Sequence, residues 1–106
     1  QAQLAALADE WSVAKSNGLG GDDLARVAQA AAAGRVATLL IESDRQIAGR
    51  LDDATGRVEL ADLSHPQVDD LLDDLGELVG KMGGRVLVIP AEHMPGRTGL
   101  AAIYRY

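Results

Sequence analysis

Gly99-Leu100-Ala101-Ala102-Ile103-Tyr104-Arg105-Tyr106 closes the chain as a hydrophobic strand. Alternate side chains of a strand point to opposite faces, so Leu100, Ala102, Tyr104 and Tyr106 share one face and Ala101, Ile103 and Arg105 the other. Both faces are mostly apolar, which predicts a strand covered on both sides and held in place by the rest of the fold. Upstream, Ala30-Ala31-Ala32-Ala33-Gly34-Arg35-Val36-Ala37-Thr38-Leu39-Leu40-Ile41 reads as a helix that stops at a glycine and passes directly into a second buried strand over 36–41. Its β-branched, nearly continuous apolar run predicts a central position in a sheet.

The rest of the chain fits around these two strands. Leu4, Leu7, Ala8 and Trp11 fall at i, i+3, i+4 and i+7, one apolar stripe of a first helix. Asn17-Gly18 supplies its stop, and Gly20-Gly21 reads as a flexible joint. Asp22 or Asp23 is a suitable N-cap for the second helix, whose inward face is Leu24, Val27, Ala28 and Ala31, with Gly34 at the left-handed position beyond its end. Glu42-Ser43-Asp44 closes the 36–41 strand with turn formers. Segments 46–51 and 57–60 alternate weakly and flank Asp52-Asp53-Ala54-Thr55-Gly56, a loop or hairpin turn.

Ser64 and Gln67 have capping-box spacing around Pro66, which predicts a long helix from there to Met82. Val68, Leu71, Leu72, Leu75, Leu78, Val79 and Met82 make its buried stripe, and Asp69, Asp70, Asp73, Asp74 and Glu77 its outer face. Gly83-Gly84 ends it before a strand over 85–89 and a loop over 90–99 with two prolines and two glycines. Strands separated by a long helix imply a parallel crossover, so the expected architecture is a three-layer α/β/α sandwich.

Bulk properties narrow the function classes. The 106 residues suffice for one domain and one core, built from Leu, Val, Ile and Ala because Phe is missing and aromatic residues are 3%. No segment approaches the roughly 18 uninterrupted apolar residues of a membrane span. A net charge of −6 repels phosphate backbones and anionic membranes. The lack of cysteine removes disulfides, thiolate metal sites and thiol nucleophiles. Because Gln1 opens the chain inside a helical pattern, residues 1–18 are expected to be the tail of a linker or preceding domain, and 19–106 the domain proper.

Few residues carry a chemical signal. Asp70, Asp74, Glu77 and His65 are one carboxylate-rich cluster, but a straight helix face does not wrap a cation that wants six to eight oxygens, so a solvated face is expected and no metal. His65 lies at a helix entry. His93, flanked by Glu92 and Arg97 in the Pro-Gly loop, is the better functional candidate, since loops carry function disproportionately. Ser43, Ser64 and Thr98 lack a nucleophile elbow, and Gly18-Leu19-Gly20-Gly21 lacks the lysine of a phosphate-binding loop. Arg105 points away from the Tyr104 and Tyr106 face, so the three do not interleave as a base-stacking platform, and the tyrosines are expected to be buried.

The Ala33-Gly34-Arg35-Val36-Ala37-Thr38-Leu39-Leu40 junction and the Ala-Ile-Tyr-Arg-Tyr close resemble the C-terminal domain of the archaeal and eukaryotic class 1 peptide-chain release factors and the related Pelota proteins. The Ala91-Glu92-His93-Met94-Pro95 loop is more similar to the bacterial branch of that superfamily. The resemblance covers about Leu19 to Tyr106. It implies a mixed sheet between helices, as in the ribosomal proteins that bind kink-turn RNA. It also implies a docking module for a protein partner, a translational GTPase or the ribosome, in the cytoplasm. Peptide release in that family uses a Gly-Gly-Gln motif in another domain, and Gly20-Gly21-Asp22 lacks the glutamine.

The expectation is therefore a noncatalytic interaction domain linked to translation termination or ribosome rescue, without cofactor, whose interaction loop is Glu92, His93, Met94, Arg97 and Thr98. RNA binding through the kink-turn-protein fold is the alternative. The RNA-binding relatives use a basic helix start, whereas Gly20-Gly21-Asp22-Asp23 places two carboxylates where phosphates would approach. A small metal-dependent hydrolase using His93, Glu92 and an aspartate of the long helix is the remaining one.

Overall fold

The computed structural model describes residues 2–52, 54–60, 69–95 and 98–106. In chain order the elements are α1 (Ala2–Ser16), β1 (Gly20–Gly21), α2 (Leu24–Ala32), β2 (Val36–Glu42), β3 (Ala48–Leu51), β4 (Val58–Leu60), β5 (Asp69–Asp70), α3 (Leu71–Lys81), β6 (Arg85–Ile89), a 3-10 turn (Ala91–His93) and β7 (Leu100–Tyr104). The main sheet has four strands in the order β1-β7-β2-β6. β2 runs parallel to β6, with α3 in the connection, and antiparallel to β7. The sheet is therefore mixed and β2 is internal, as its apolar run predicts.

The period-2 alternation of both strands separates two cores. On one face Leu39, Ile41, Leu100 and Ala102 pack with Val27, Ala28 and Ala31 of α2 and Leu72, Leu75, Leu78 and Val79 of α3. On the other, Leu40 and Ala101 pack with Ile89 and Trp11 of α1. These are the three layers of the sandwich, and α1 is one of them. Val36 joins the Leu39 face although it is an odd number of residues away, because β2 carries one extra residue opposite β7: Val36 pairs with Tyr104 and Thr38 with Ile103.

The start of β2 follows from how α2 ends. Gly34 has φ 73°, and the Gly34 and Arg35 N–H groups donate back to the Ala31 and Ala30 carbonyls at 3.0 and 2.8 Å, so the chain turns out of the helix at the only residue type without a Cβ penalty. Asp23 caps the other end by accepting from the Arg26 N–H.

The structure corrects three expectations. Gly20-Gly21 is not a flexible joint but strand β1, paired antiparallel with Ile103 and Ala102 of β7. Small residues are required there: a Cβ on Gly20 would lie 2.7 Å from the Lys15 backbone nitrogen, and one on Gly21 would meet the Tyr104 hydroxyl. The long helix begins at Leu71, so Asp69 and Asp70 belong to a strand and not to its outer face. Asp70 has extended backbone, and its carboxylate accepts both the Leu72 N–H that starts α3 and the Ile47 N–H just before β3, each at 3.1 Å. Those two bonds tie the helix start to a second sheet, ordered β4-β3-β5, in which the 46–51 and 57–60 segments form the antiparallel hairpin. The Ser64 to Gln67 start and Val68 lie outside the described residues. Met82, assigned to the buried stripe, is instead 40% exposed, one residue beyond the helix that would have turned it inward.

Candidate interaction surface

The 90–99 loop leaves β6 through Pro90 and returns at Gly99. The 3-10 turn is closed by the His93 N–H donating to the Pro90 carbonyl at 2.9 Å, and it rests against α1. This turn holds Glu92 and His93 exposed to solvent. Met94, half-buried, packs into the core between α1 and the sheet and anchors the loop from below. Thr98 fixes the far end: its Oγ1 lies 2.7 Å from the Asp22 carbonyl oxygen and 3.1 Å from that of Leu100. Of the predicted loop residues, Glu92 and His93 therefore present exposed side chains, Met94 and Thr98 hold the loop's shape, and Arg97 lies outside the described residues.

The loop continues into an ordered neighbourhood on α1. The Trp11 indole N–H donates to the Gly21 carbonyl at 3.3 Å, and Lys15 sits over the Trp11 ring at 4.9 Å while reaching Asp22 at 3.9 Å. Asp22 and Asp23 thus serve the scaffold: one meets Lys15 and the other caps α2 and reaches Arg26 at 3.9 Å.

A second group of residues is assembled at the opposite end of β2. The Arg35 guanidinium is 5.5 Å from the centroids of both the Tyr104 and the Tyr106 rings, and its Nη2 donates to the Tyr106 carbonyl at 3.1 Å. Among the described residues its buried Nε–H has no oxygen or nitrogen partner, a cost that the two ring faces offset. Burial raises the Tyr104 pKa, while the Arg35 charge works against that rise. Tyr106 is 67% exposed, which corrects the expectation that both tyrosines are buried. Arg105 does point elsewhere, toward the Met82 carbonyl at the end of α3, where a cation complements the helix dipole. The arginine over the tyrosine rings is instead Arg35, one residue before the neighbouring strand β2.

Arg35, Arg85 and Arg105 lie at the same ends of the adjacent strands β2, β6 and β7, and among the described residues none of them forms an ion pair. An open concavity of about 360 Å³ beside Arg35 is lined by Arg26, Gln29, Ala30 and Tyr104. This end is locally basic in a chain of net charge −6. The periodicity of neither strand reveals it, because nothing local says that β2 and β7 are neighbours.

For chemistry on a substrate the arrangement offers little convergence. Among the described residues no three His, Asp or Glu side chains are grouped to hold a metal ion, and His65 lies outside them. Asp74 and Glu77 line an open concavity of about 460 Å³ with Leu51, Leu78 and Lys81, on the side of α3 that faces the small sheet. No described helix is long and apolar enough to cross a membrane.

No family model and no curated protein matches the chain. Solved structures do. The C-terminal domain of a peptide chain release factor from Methanosarcina mazei superposes with a TM-score of 0.66 at 18% identity, over 99% of this chain and 82% of that one. A chain in a model of ribosome-bound archaeal Pelota and ABCE1 gives a TM-score of 0.61 at 25% identity over 98% of this chain, which spans 26% of that chain's length. The mixed sheet with the three described helices is thus the fold of a release-factor C-terminal domain, similar in the same way to part of Pelota.

Proposed function

We propose that this chain is a noncatalytic docking domain of a release-factor-like protein of the bacterial branch, acting in translation termination or ribosome rescue in the cytoplasm. The observation that carries this reading is the end-to-end likeness to a release-factor C-terminal domain, 99% of one chain on 82% of the other. The Pelota neighbour belongs to a ribosome-bound assembly with ABCE1, so the partner proposed here is the ribosome or a nucleotide-hydrolysing translation factor that works on it. Glu92 and His93 are the side chains offered to that partner, because the turn that carries them is anchored by Met94 and α1 and needs no ordering on binding.

Ribosome co-sedimentation and affinity capture of translation factors, with the protein and its Glu92→Arg and His93→Ala variants, test the reading. The expected result is co-sedimentation lost or weakened about tenfold in the variants, a change of about 1.4 kcal/mol. Absence of the protein from ribosomal fractions, together with no captured translation factor, refutes it.

A second reading, stacking of a single-stranded RNA base at the sheet end, has one observation in its favour: the exposed Tyr106 ring backed by Arg35. A mobility shift at low salt that Tyr106→Ala abolishes supports it, and the absence of any shift disposes of it.

A further inference from the structure

We propose that the concavity beside Arg35 is a binding site for one terminal phosphate monoester. Its lining comes from α2, where Arg26, Gln29 and Ala30 fall at i, i+3 and i+4 on one helix face, and from Arg35 and Tyr104 at the sheet end. Every polar side chain in that set can donate: two guanidinium forks, an amide and a phenol hydroxyl. No carboxylate is among them. The concavities beside α3, at the small-sheet hairpin and beside Gly20 each include two acidic side chains.

Arg35 is set in place before a ligand arrives. Its N–H donates to the Ala30 carbonyl at 2.8 Å, its own carbonyl accepts from the Arg105 N–H at 2.6 Å, and its guanidinium lies against two tyrosine rings. One of its N–H groups meets the Tyr106 carbonyl, and among the described residues the buried Nε–H meets no acceptor and the charge meets no carboxylate. The ordering of a long side chain, a main cost of binding, is thus already met by the fold. Arg26 is exposed, and among the described residues its side chain pairs with Asp23 alone, through Nε at 3.9 Å. An exposed pair of that kind holds little energy, so the terminal nitrogens of Arg26 remain for a ligand.

Charge and extent select the ligand. A phosphate monoester carries about −1.5 to −2 near neutral pH on three acceptor oxygens, a match for two guanidinium groups, whereas a carboxylate or a phosphodiester brings a single charge. The adjoining concavity shares Arg26 and Tyr104 but is also lined by Asp22 and Asp23. A phosphate chain continuing that way would meet carboxylates, which favours a single terminal group over an RNA strand. The space of about 360 Å³ lies at the small end of ligand sites. Arg85 and Arg105, at the same end of the sheet but outside the lining, add positive potential. The ester belongs to a small metabolite or to a phosphorylated side chain of a protein, and the contacts to the phosphate are the same for both.

Calorimetric titration and phosphorus NMR of the chain with phosphoserine test the site. The expected result is one site that binds more tightly as pH rises through about 6, where the second phosphate proton leaves. Arg26→Gln and Arg35→Lys should each weaken binding about tenfold, the first by removing a charge and the second by keeping the charge without the fork. Arg26 is exposed, so Arg26→Gln keeps the fold and carries the test on its own if Arg35→Lys does not fold. Arg85→Gln removes the same charge outside the concavity and should leave binding unchanged. Adenosine monophosphate and a phosphoserine peptide, beside its unphosphorylated form, identify the source: tighter binding of the nucleotide points to a metabolite, and tighter binding of the phosphopeptide to a modified protein. No heat and no phosphorus shift with any monoester at millimolar concentration overturns the proposal. So does equal weakening by Arg85→Gln and Arg26→Gln, or a single-stranded RNA without a terminal phosphate that binds more tightly than phosphoserine.

Discussion

Leu39 and Leu40 allow a direct measurement of whether α1 belongs to the folding unit. They are adjacent in β2, both 0% exposed, and on opposite faces: Leu39 lies in the core under α2 and α3, Leu40 in the core with Trp11, Ile89 and Ala101. A buried leucine cut to alanine costs about 2–5 kcal/mol, the spread depending on how far the surroundings collapse into the cavity. The Leu39 core is the larger and is walled by two helices and a sheet, so Leu39→Ala belongs toward the upper end, about 3–5 kcal/mol. The Leu40 cluster is smaller and relaxes more readily, which places Leu40→Ala nearer 2–3 kcal/mol, while Trp11→Ala costs about 3–5 kcal/mol.

In a domain of this size each kcal/mol moves the melting temperature by roughly 4–8 °C, so both leucine variants melt on the order of 10 °C or more below the parent. Trp11 is the only tryptophan, so its fluorescence reports the docking of α1 while far-ultraviolet ellipticity reports the helical content as a whole. The two urea transitions should coincide. A fluorescence transition at clearly lower urea than the ellipticity transition, or a Leu40→Ala cost below about 0.5 kcal/mol as for an ordinary surface site, refutes α1 as an integral layer.

Three further outcomes follow from contacts at β7. Gly20→Ala and Gly21→Ala each force an overlap costing about 1–3 kcal/mol in urea denaturation, with Gly20 the worse because its obstacle is the Lys15 backbone and not a side-chain tip. Because burial raises the Tyr104 pKa, the folded state holds that proton at pH values where the unfolded chain has lost it. The stability this provides is complete below the ordinary tyrosine value of 10.0 and is lost as pH rises through the higher folded value. Urea midpoints across the alkaline range should fall, and Tyr104→Phe should flatten that fall; an unchanged profile would refute the assignment. Arg35→Lys loses the planar group between two rings, at about 0.5–1 kcal/mol per ring contact, and a double-mutant cycle with Tyr106→Ala should show coupling of that order.

What the sequence revealed and concealed divides along the line between local and nonlocal causes. The faces of β7 were readable because alternation is a property of consecutive residues: Leu100 and Ala102 reach one core and Ala101 the other, as their spacing requires. The helix stop at Gly34 was readable for the same reason. β1 was not, since two glycines carry no pattern and their strand character comes from β7, some eighty positions away. The start of α3 was misplaced because Asp70 answers to Ile47, just before β3, as well as to its own helix. The same holds for the candidate surface. The Pro-Gly composition of the 90–99 loop pointed to Glu92 and His93, whereas Arg35 reached Tyr106 across 71 positions and left no local trace.

The bulge in β2 shows how such a nonlocal fit is kept, and it leads to a deletion that ought to be harmless. Removing one residue from a central strand ordinarily turns every side chain beyond it to the wrong face. Here β2 already holds one residue too many between Val36 and Thr38 relative to β7, and the ladder with β6 begins only at Thr38. Without Ala37, Val36 would follow Thr38 in regular alternation, still opposite Tyr104 and still on the Leu39 face, with Arg35 still beside the tyrosine rings. Deleting Ala37 should therefore cost no more than about 1–2 kcal/mol, within the common range for single changes. Deleting Leu39 draws Thr38 into the core position and removes a fully buried side chain, and that chain should not fold cooperatively. Thermal melts of the two deletions decide the matter: if both unfold alike, the extra residue does not set the face of Val36, and the stacking of Arg35 between Tyr104 and Tyr106 must be held by something other than the register of β2 against β7.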